Sequence, residues 1–230
     1  MVATPTIISS AAQNITNLRK VFECLDANSC PSQYNFHMHT IASDGKLTPI
    51  NLVQQALEIG LKGFAITDHH SVAGYFQAQA YLDRLKDEGY NEQLTLWTGF
   101  EVTSLLLGVE VHILGYGFDP DHYSLKPYLN STRPLGESAE APKVINSIHQ
   151  AGGLAVLAHP HRYRRSAQEL VPAIAEMGID GIEVYYAYGN PNPWQPSQRR
   201  TASAQQLAAK YHLLSTCGTD SHGNSLLQRI

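Results

Sequence analysis

The chain has 230 residues, 43% hydrophobic and 16% charged, a composition that suits a globular protein able to bury a large core in one domain. Its formal net charge of −4 does not advertise nucleic-acid or anionic-membrane binding, and no apolar run is long enough to span a bilayer, so no membrane partner is expected. Met1-Val2-Ala3-Thr4-Pro5 lacks the features of a signal peptide. Cys24, Cys30 and Cys217 are too few and odd in number for a disulfide framework, so the cytoplasm is the expected location.

In chain order, residues 1–33 read as a helical appendage. Leu18, Val21, Phe22 and Leu25 follow the i, i+3, i+4, i+7 spacing of an amphipathic helix that ends near Asn28, with Pro31 closing the segment. Residues 34–230 read as one domain. A strand over 35–40 is followed by a helix that starts at Thr48-Pro49-Ile50, with Thr as N-cap and Pro in the first turn, and runs to Gly60. Strands then fall at 63–67, 94–101 and 109–114, with a helix over 75–88 between the first two. Residues 119–142 carry four prolines and little periodicity, which marks an irregular excursion able to act as a lid or small cap. Beyond it, helices at 143–151, 168–177 and 203–211 alternate with strands at 154–158, 181–186 and 213–216. About seven apolar strands alternating with amphipathic helices predict a parallel sheet covered by helices.

Histidines and carboxylates gather where those strands end. His37 and His39, two apart, point to the same face of an extended chain and can grip one ion together. With Asp44, His69, Glu101, His112, His159, Asp220 and His222 they make nine ligand-type residues. Nearly all lie at strand C-terminal ends, where a (β/α) barrel builds its active site; His112 within its strand and Asp44 on a loop are the exceptions. Imidazole and carboxylate donors without thiolate suit manganese, zinc or iron(II), and nine donors suffice for up to three divalent ions.

The phrases His37-Met38-His39-Thr40, Ser43-Asp44-Gly45, Ile66-Thr67-Asp68-His69, Gly99-Phe100-Glu101-Val102, His112-Ile113-Leu114-Gly115-Tyr116, Ala158-His159-Pro160 and Gly218-Thr219-Asp220-Ser221-His222 together resemble the PHP (polymerase and histidinol phosphatase) family. The resemblance implies an α/β fold, a distorted (β/α)7 TIM-like barrel with a trinuclear metal centre at the strand C-terminal ends. It further implies that His37, His39, Glu101 and Asp220 hold one ion, that Glu101 bridges to a second completed by His112 and His159, and that Asp44, His69 and His222 hold a third. Thr48-Pro49 and the run from Ala158 to Tyr163 resemble the stand-alone phosphoesterase branch, which includes nucleoside 3′,5′-bisphosphate phosphatases and 5′-to-3′ exonucleases on short RNA. The chain departs from that branch in carrying His161 where glycine is usual and in its shorter excursion.

The expected function is therefore a metal-dependent phosphoesterase that hydrolyses a small phosphate ester, a nucleotide or a short oligonucleotide with metal-activated water. A histidinol-phosphate-type phosphatase and a non-catalytic metal-binding PHP module are the alternatives; an amidohydrolase would require a lysine ligand that no strand end supplies. His70 and His161 are candidates for proton donation to the leaving oxygen, and Arg162 for a phosphate clamp, since guanidinium matches phosphate bidentately. Lys46, Arg164 and Arg165 read equally well as solvated charges. Glu183 could hydrogen-bond to the site or serve structure alone. The aromatics Tyr185, Tyr186, Tyr188 and Trp194 could stack on a base or simply pack.

Overall fold

A computed structural model describes residues 11–90 and 94–230; the first ten residues of the expected appendage lie outside them. Eight strands and six α-helices are assigned among the described residues. Helix α1 (Ile15–Glu23) is capped by the Asn14 side chain, which accepts from Asn17 N. It ends at Glu23, short of Asn28. Its buried face is Leu18 and Phe22, which with Leu25 join the main core. The Phe22 ring meets Phe36 edge-on at 4.9 Å and Tyr116 at 5.6 Å.

Strands β1 (Tyr34–Asn35), β2 (Gly63–Ala65) and β3 (Thr95–Trp97) form a parallel three-stranded sheet. Between them run α2 (Pro49–Ile59) and α3 (Ala73–Asp87). The local chemistry fixes α2 at both ends. Thr48 accepts from Asn51 N, Pro49 opens the helix, and Gly60 closes it at φ 79°, a left-handed conformation that costs glycine little. The second sheet holds β4 (Gly99–Leu106), β5 (Val109–Tyr116), β6 (Leu154–Leu157), β7 (Gly181–Tyr185) and β8 (Leu214–Cys217), in that order. Helix α4 (Ala141–Gln150) lies between β5 and β6, and α5 (Ala167–Glu176) and α6 (Gln198–Lys210) make the crossovers between the parallel strands β6, β7 and β8.

The α/β class is as expected, while the sheet differs from the expected parallel arrangement. The predicted strand over 94–101 is split at Thr98 into β3 and the start of β4, and β4 and β5 are antiparallel along their whole length. Their turn explains why. Leu107 and Gly108 have φ of 50° and 76°, and two positive-φ residues make the tight hairpin that matches strand twist, whereas a parallel return needs a crossover of a dozen residues or more. β5 also runs antiparallel to β6, and β6, β7 and β8 are parallel.

The two sheets meet at two seams through single bridges rather than ladders. At one, Phe36 N donates to Cys217 O (3.0 Å), Asp220 N to His37 O (2.8 Å) and His39 N to Ser221 O (3.0 Å), around an isolated Met38–Ser221 bridge. At the other, a His69–Glu101 bridge is flanked by His70 N to Glu101 O (2.9 Å) and Glu101 N to Asp68 O (3.2 Å). The predicted strand over 35–40 is thus reduced to one ladder residue, Asn35, paired beside Tyr34, plus a bridge at Met38. Met38 still alternates as an extended residue should: it is fully buried in a second apolar cluster with Leu52, Phe64 and Ile66, which leaves His37 and His39 for the opposite side. The excursion at 119–142 is irregular apart from short 3-10 turns at Tyr123–Leu125 and Gly136–Ala139. It is anchored by buried Leu125 and Tyr128 and by Ser131 N donating to His70 O (2.9 Å).

Candidate metal centre

The ligand-type residues converge at the two seams. Glu101 sits at the middle, 1% exposed, at the start of β4. Its Oε2 lies 3.2 Å from His37 Nε2, 3.1 Å from His39 Nε2 and 3.6 Å from His69 Nε2. Its Oε1 lies 2.8 Å from His112 Nδ1 and 3.5 Å from His159 Nε2. Asp220 Oδ1 is 3.3 Å from both His37 and His39 Nε2 and 3.5 Å from His222 Nδ1. Asp44, the most exposed of the set, reaches His222 Nε2 at 3.4 Å, His39 Nδ1 at 3.6 Å and His69 Nε2 at 3.9 Å.

Three groups have ligand atoms mutually within 4.8 Å: His37, His39, Glu101 and Asp220; His39, Asp44, His69 and His222; and His69, Glu101 and His112. The first matches the set that the family resemblance implies. The third contains His69 rather than His159, which stands beside it on Glu101. His70, His159 and Asp220 have φ of 52°, 27° and 54°, a sparsely populated region whose cost of about 1–3 kcal/mol each is characteristic of functional sites.

These residues fit metal ions on two observations. Both ring nitrogens of buried His39 lack a partner in hydrogen-bond geometry, although His39 Nε2 has two carboxylate oxygens within 3.3 Å. Lone pairs that converge without hydrogen-bonding suit a cation between them. The electrostatics agree. Burial alone would push the His37 and His39 imidazoles down. Glu183, Glu101 and Asp220 instead raise His37 well above its ordinary value, and Asp220 and Glu101 raise His39 to about 9. Glu101 and Asp220 are held well below the carboxylate range against their own burial, chiefly by His37 with His112 or His39. A buried pair of carboxylates demands positive charge, and protons and metal ions compete for the same imidazole lone pairs. His69, on the rim, is instead lowered to about 4, first by burial.

A supporting layer holds the ligand-type residues. Glu183, fully buried on β7, reaches His37 Nδ1 at 3.0 Å with one oxygen and accepts from His159 N at 2.8 Å with the other. That aims His37 Nε2 at the cluster. Asp68 accepts from Thr40 N, Thr40 Oγ1 and Ser43 Oγ, each at 2.7 Å, and so pins the loop that carries Asp44. Tyr163 accepts from His112 N (2.8 Å) and donates to Ala158 O (3.0 Å). Sequence reasoning missed Asp68 and Tyr163 and left Glu183 open. Asp68 stood inside a ligand motif, which was the available signal, but its partners are 25 and 28 residues away.

The other candidates are placed as follows. His70 turns its Nε2 to Thr103 Oγ1 at 3.3 Å, and burial lowers its imidazole to about 4. His161 packs its ring edge-on against Tyr188 at 5.8 Å, lowered by burial and then by Arg200. Arg162 Nη1 donates to Asp220 Oδ2 (2.9 Å) and Tyr186 Oη (3.1 Å). Arg165 is occupied away from the cluster by Leu107 O and Glu169, and Lys46 is exposed. Tyr185, Tyr186 and Trp194 are buried, and the Arg200 guanidinium covers the Tyr188 ring at 4.6 Å, so these aromatics pack internally.

A PHP domain family model matches residues 35–217, and the chain belongs to that family. It is similar to the 5′-3′ exoribonuclease Rnm of Salmonella typhimurium, 27% identical over 82% of this chain and 85% of that protein. It also resembles a 3′,5′-nucleoside bisphosphate phosphatase of Chromobacterium violaceum, 30% identical over 51% of this chain and 39% of that one. Among solved structures, a chain from Bifidobacterium adolescentis assigned to the metal-dependent phosphoesterases superposes with a TM-score of 0.66 at 26% identity, covering 84% of this chain and 89% of that one.

Proposed function

We infer that this chain, a metal-dependent phosphoesterase of the PHP family, hydrolyses phosphate esters of nucleotides or short oligonucleotides. The observation that carries the reading is the sharing of one buried carboxylate, Glu101, among five imidazoles, with Asp220 and Asp44 closing the groups on either side. His37, His39, Glu101 and Asp220 would hold one divalent ion, Glu101 with His112 and His159 a second, and Asp44, His69 and His222 a third. Manganese, zinc and iron(II) all suit these donors. Bound there, such ions supply Lewis acidity, an activated water and neutralisation of charge developing on phosphorus.

The chain's own residues set the geometry around that chemistry. Glu183 fixes the His37 tautomer, Asp68 holds the Asp44 loop, and Arg162 stands at the rim as the phosphate-binding guanidinium. Burial keeps His70 neutral at neutral pH, which favours hydrogen bonding over proton donation there. A cavity of about 180 Å³ between β4 and the excursion, lined by Thr103, Leu105, Arg133, Pro134, Leu135 and Ala139, is where the organic part of the ester would rest. Thr103 and Leu105 lie two and four residues along β4 from Glu101 and share its strand face, which supports this placement. Bridges at both seams support reading the two sheets as the walls of one distorted barrel. Three unpaired cysteines suit a cytoplasmic setting.

The test is metal analysis of protein purified without chelator. It is followed by a phosphate-release screen with manganese on 3′,5′-bisphosphonucleotides, mononucleotides, 5′-phosphorylated short RNA and histidinol phosphate. Two to three ions per chain, with release abolished by His39→Ala and Asp220→Ala, are expected. Release undiminished in both variants would refute the assignment, and preference for histidinol phosphate would move the chain to that branch.

A further inference from the structure

The outer oxygen of Asp220 is crowded. Its Oδ2 accepts from Tyr186 Oη at 2.7 Å, Arg162 Nη1 at 2.9 Å and Arg229 Nε at 2.8 Å. The carboxylate is 3% exposed in its side chain, and its Oδ1 faces His37 and His39. One negative charge therefore meets two guanidinium groups, although one suffices to neutralise it.

The two arginines are held differently. Arg162 sits in the turn after His159, its backbone N donating to His159 O, and its side chain is 37% exposed. Arg229 is carried on residues 224–230, which have no regular structure and are lashed down along their length. Gln55 on α2 donates to Asn224 O (2.9 Å) and accepts from Leu226 N (3.0 Å). Leu226 is fully buried in the cluster around Met38, and Asn35 Nδ2 reaches its carbonyl at 3.4 Å. Arg229 N donates to Asn190 Oδ1 (3.1 Å), and Arg229 O accepts from the backbone of His222 (2.6 Å). One residue of this strap thus ties down Asp220 through its side chain and His222 through its backbone.

Resting on the metal reading above, we propose that Arg229 is a positioning residue. It keeps the Asp220 carboxylate aimed at the His37–His39 pair, and this leaves Arg162 free to exchange Asp220 for the phosphate of the substrate. Groups that orient a ligand from behind typically govern metal affinity by about 10- to 100-fold. A charge-assisted contact to substrate governs KM by a similar factor. The two arginines are therefore separable by experiment.

The test is calorimetric titration of Mn²⁺ into the chelator-stripped full chain, beside KM measured at saturating Mn²⁺. Arg229→Gln should weaken the tightest Mn²⁺ event by about 10- to 100-fold and leave KM unchanged, with Arg229→Lys restoring part of the loss. Asn190→Gly removes the strap's acceptor at a φ of 48° that glycine tolerates, and should shift the isotherm in the same direction by less. Should Arg229→Gln fail to fold, this variant decides. Arg162→Gln should do the reverse, raising KM with the isotherm unmoved. Leu227→Ala, on the same strap and 43% exposed, should match wild type in both. Isotherms of Arg229→Gln and Asn190→Gly within about two-fold of wild type, or a raised KM with an unmoved isotherm in Arg229→Gln, would overturn the proposal alone. A wild-type chain that takes up no Mn²⁺ would overturn the metal reading and this one with it.

Discussion

Glu183 serves two donors at once, the His37 ring with one oxygen and the His159 backbone with the other. An amide in its place offers one acceptor oxygen, so Glu183→Gln must break one of the two contacts while keeping the volume. We expect metal affinity about 10- to 100-fold weaker with little change in far-UV circular dichroism, read by metal analysis after gel filtration; unchanged metal content would show that Glu183 only fills space. Gly218 is tested by size rather than charge. A Cβ there would stand 2.2 Å from His37 Cβ and 2.8 Å from His37 N, so Gly218→Ala must push apart the backbone seam that positions His37 and Asp220. A loss of about 1–3 kcal/mol in urea unfolding, with metal uptake impaired, is expected. At this scale the ligand types were legible, because histidine and carboxylate betray their chemistry wherever they sit. Their partners were not: Glu183 lies 146 residues from His37, and no local pattern encodes such a pair.

Among the elements, α2 was readable at both ends because Thr48, Pro49 and Gly60 act within one turn of where they stand. Strand limits depend on a neighbour instead. Within the run over 35–40 only Asn35 finds a ladder partner in β2, with Tyr34 just before it. The antiparallel sense of β5 hung on a two-residue turn at Leu107-Gly108 that carries no asparagine or aspartate to announce it. Helix α6 starts at Gln198 rather than Ser203, since its first turn is polar and lacks the apolar spacing on which the expectation rested. Asp180 shows how elements are clamped together. It receives Arg19 of α1 at 2.5 Å, His149 of α4 at 2.7 Å and Ala155 N of β6 at 2.9 Å. Burial opposes its ionisation, but His149, Ala155 N and Arg19 together hold its carboxyl below the ordinary value. Because the folded pKa is depressed, its contribution is fully present above the unfolded value of about 4 and is lost as pH falls below it. Asp180→Asn should therefore destabilise the protein at pH 7 and flatten the acid limb of stability below about pH 4. Equal slopes for wild type and variant in that window would exclude the clamp.

On the scale of the whole molecule, the ligand-type residues are spread over β1, β2, β4, β5, β6 and β8 or the loops beside them, and most of them gather where the two sheets touch without a continuous ladder. Few backbone hydrogen bonds cross there, so an ion held by His39 and Asp220 from one seam and by Glu101 from the other would supply cross-links that the backbone leaves out. Such a ligand set does not exist in the unfolded chain, and anything that binds only the folded state stabilises it by about 2.7 kcal/mol at one hundred times its dissociation constant. In a protein of 230 residues, each kcal/mol moves the melting temperature by about 2–4 °C. Saturating Mn²⁺ should thus raise Tm over the chelator-stripped chain by about 5–10 °C for each tightly bound ion, and the increment should shrink in His39→Ala, because His39 belongs to two of the three groups. Scanning calorimetry of the two proteins with and without Mn²⁺ checks this. Identical melting curves for wild type in both conditions would mean that these side chains meet for some reason other than holding ions across the seams.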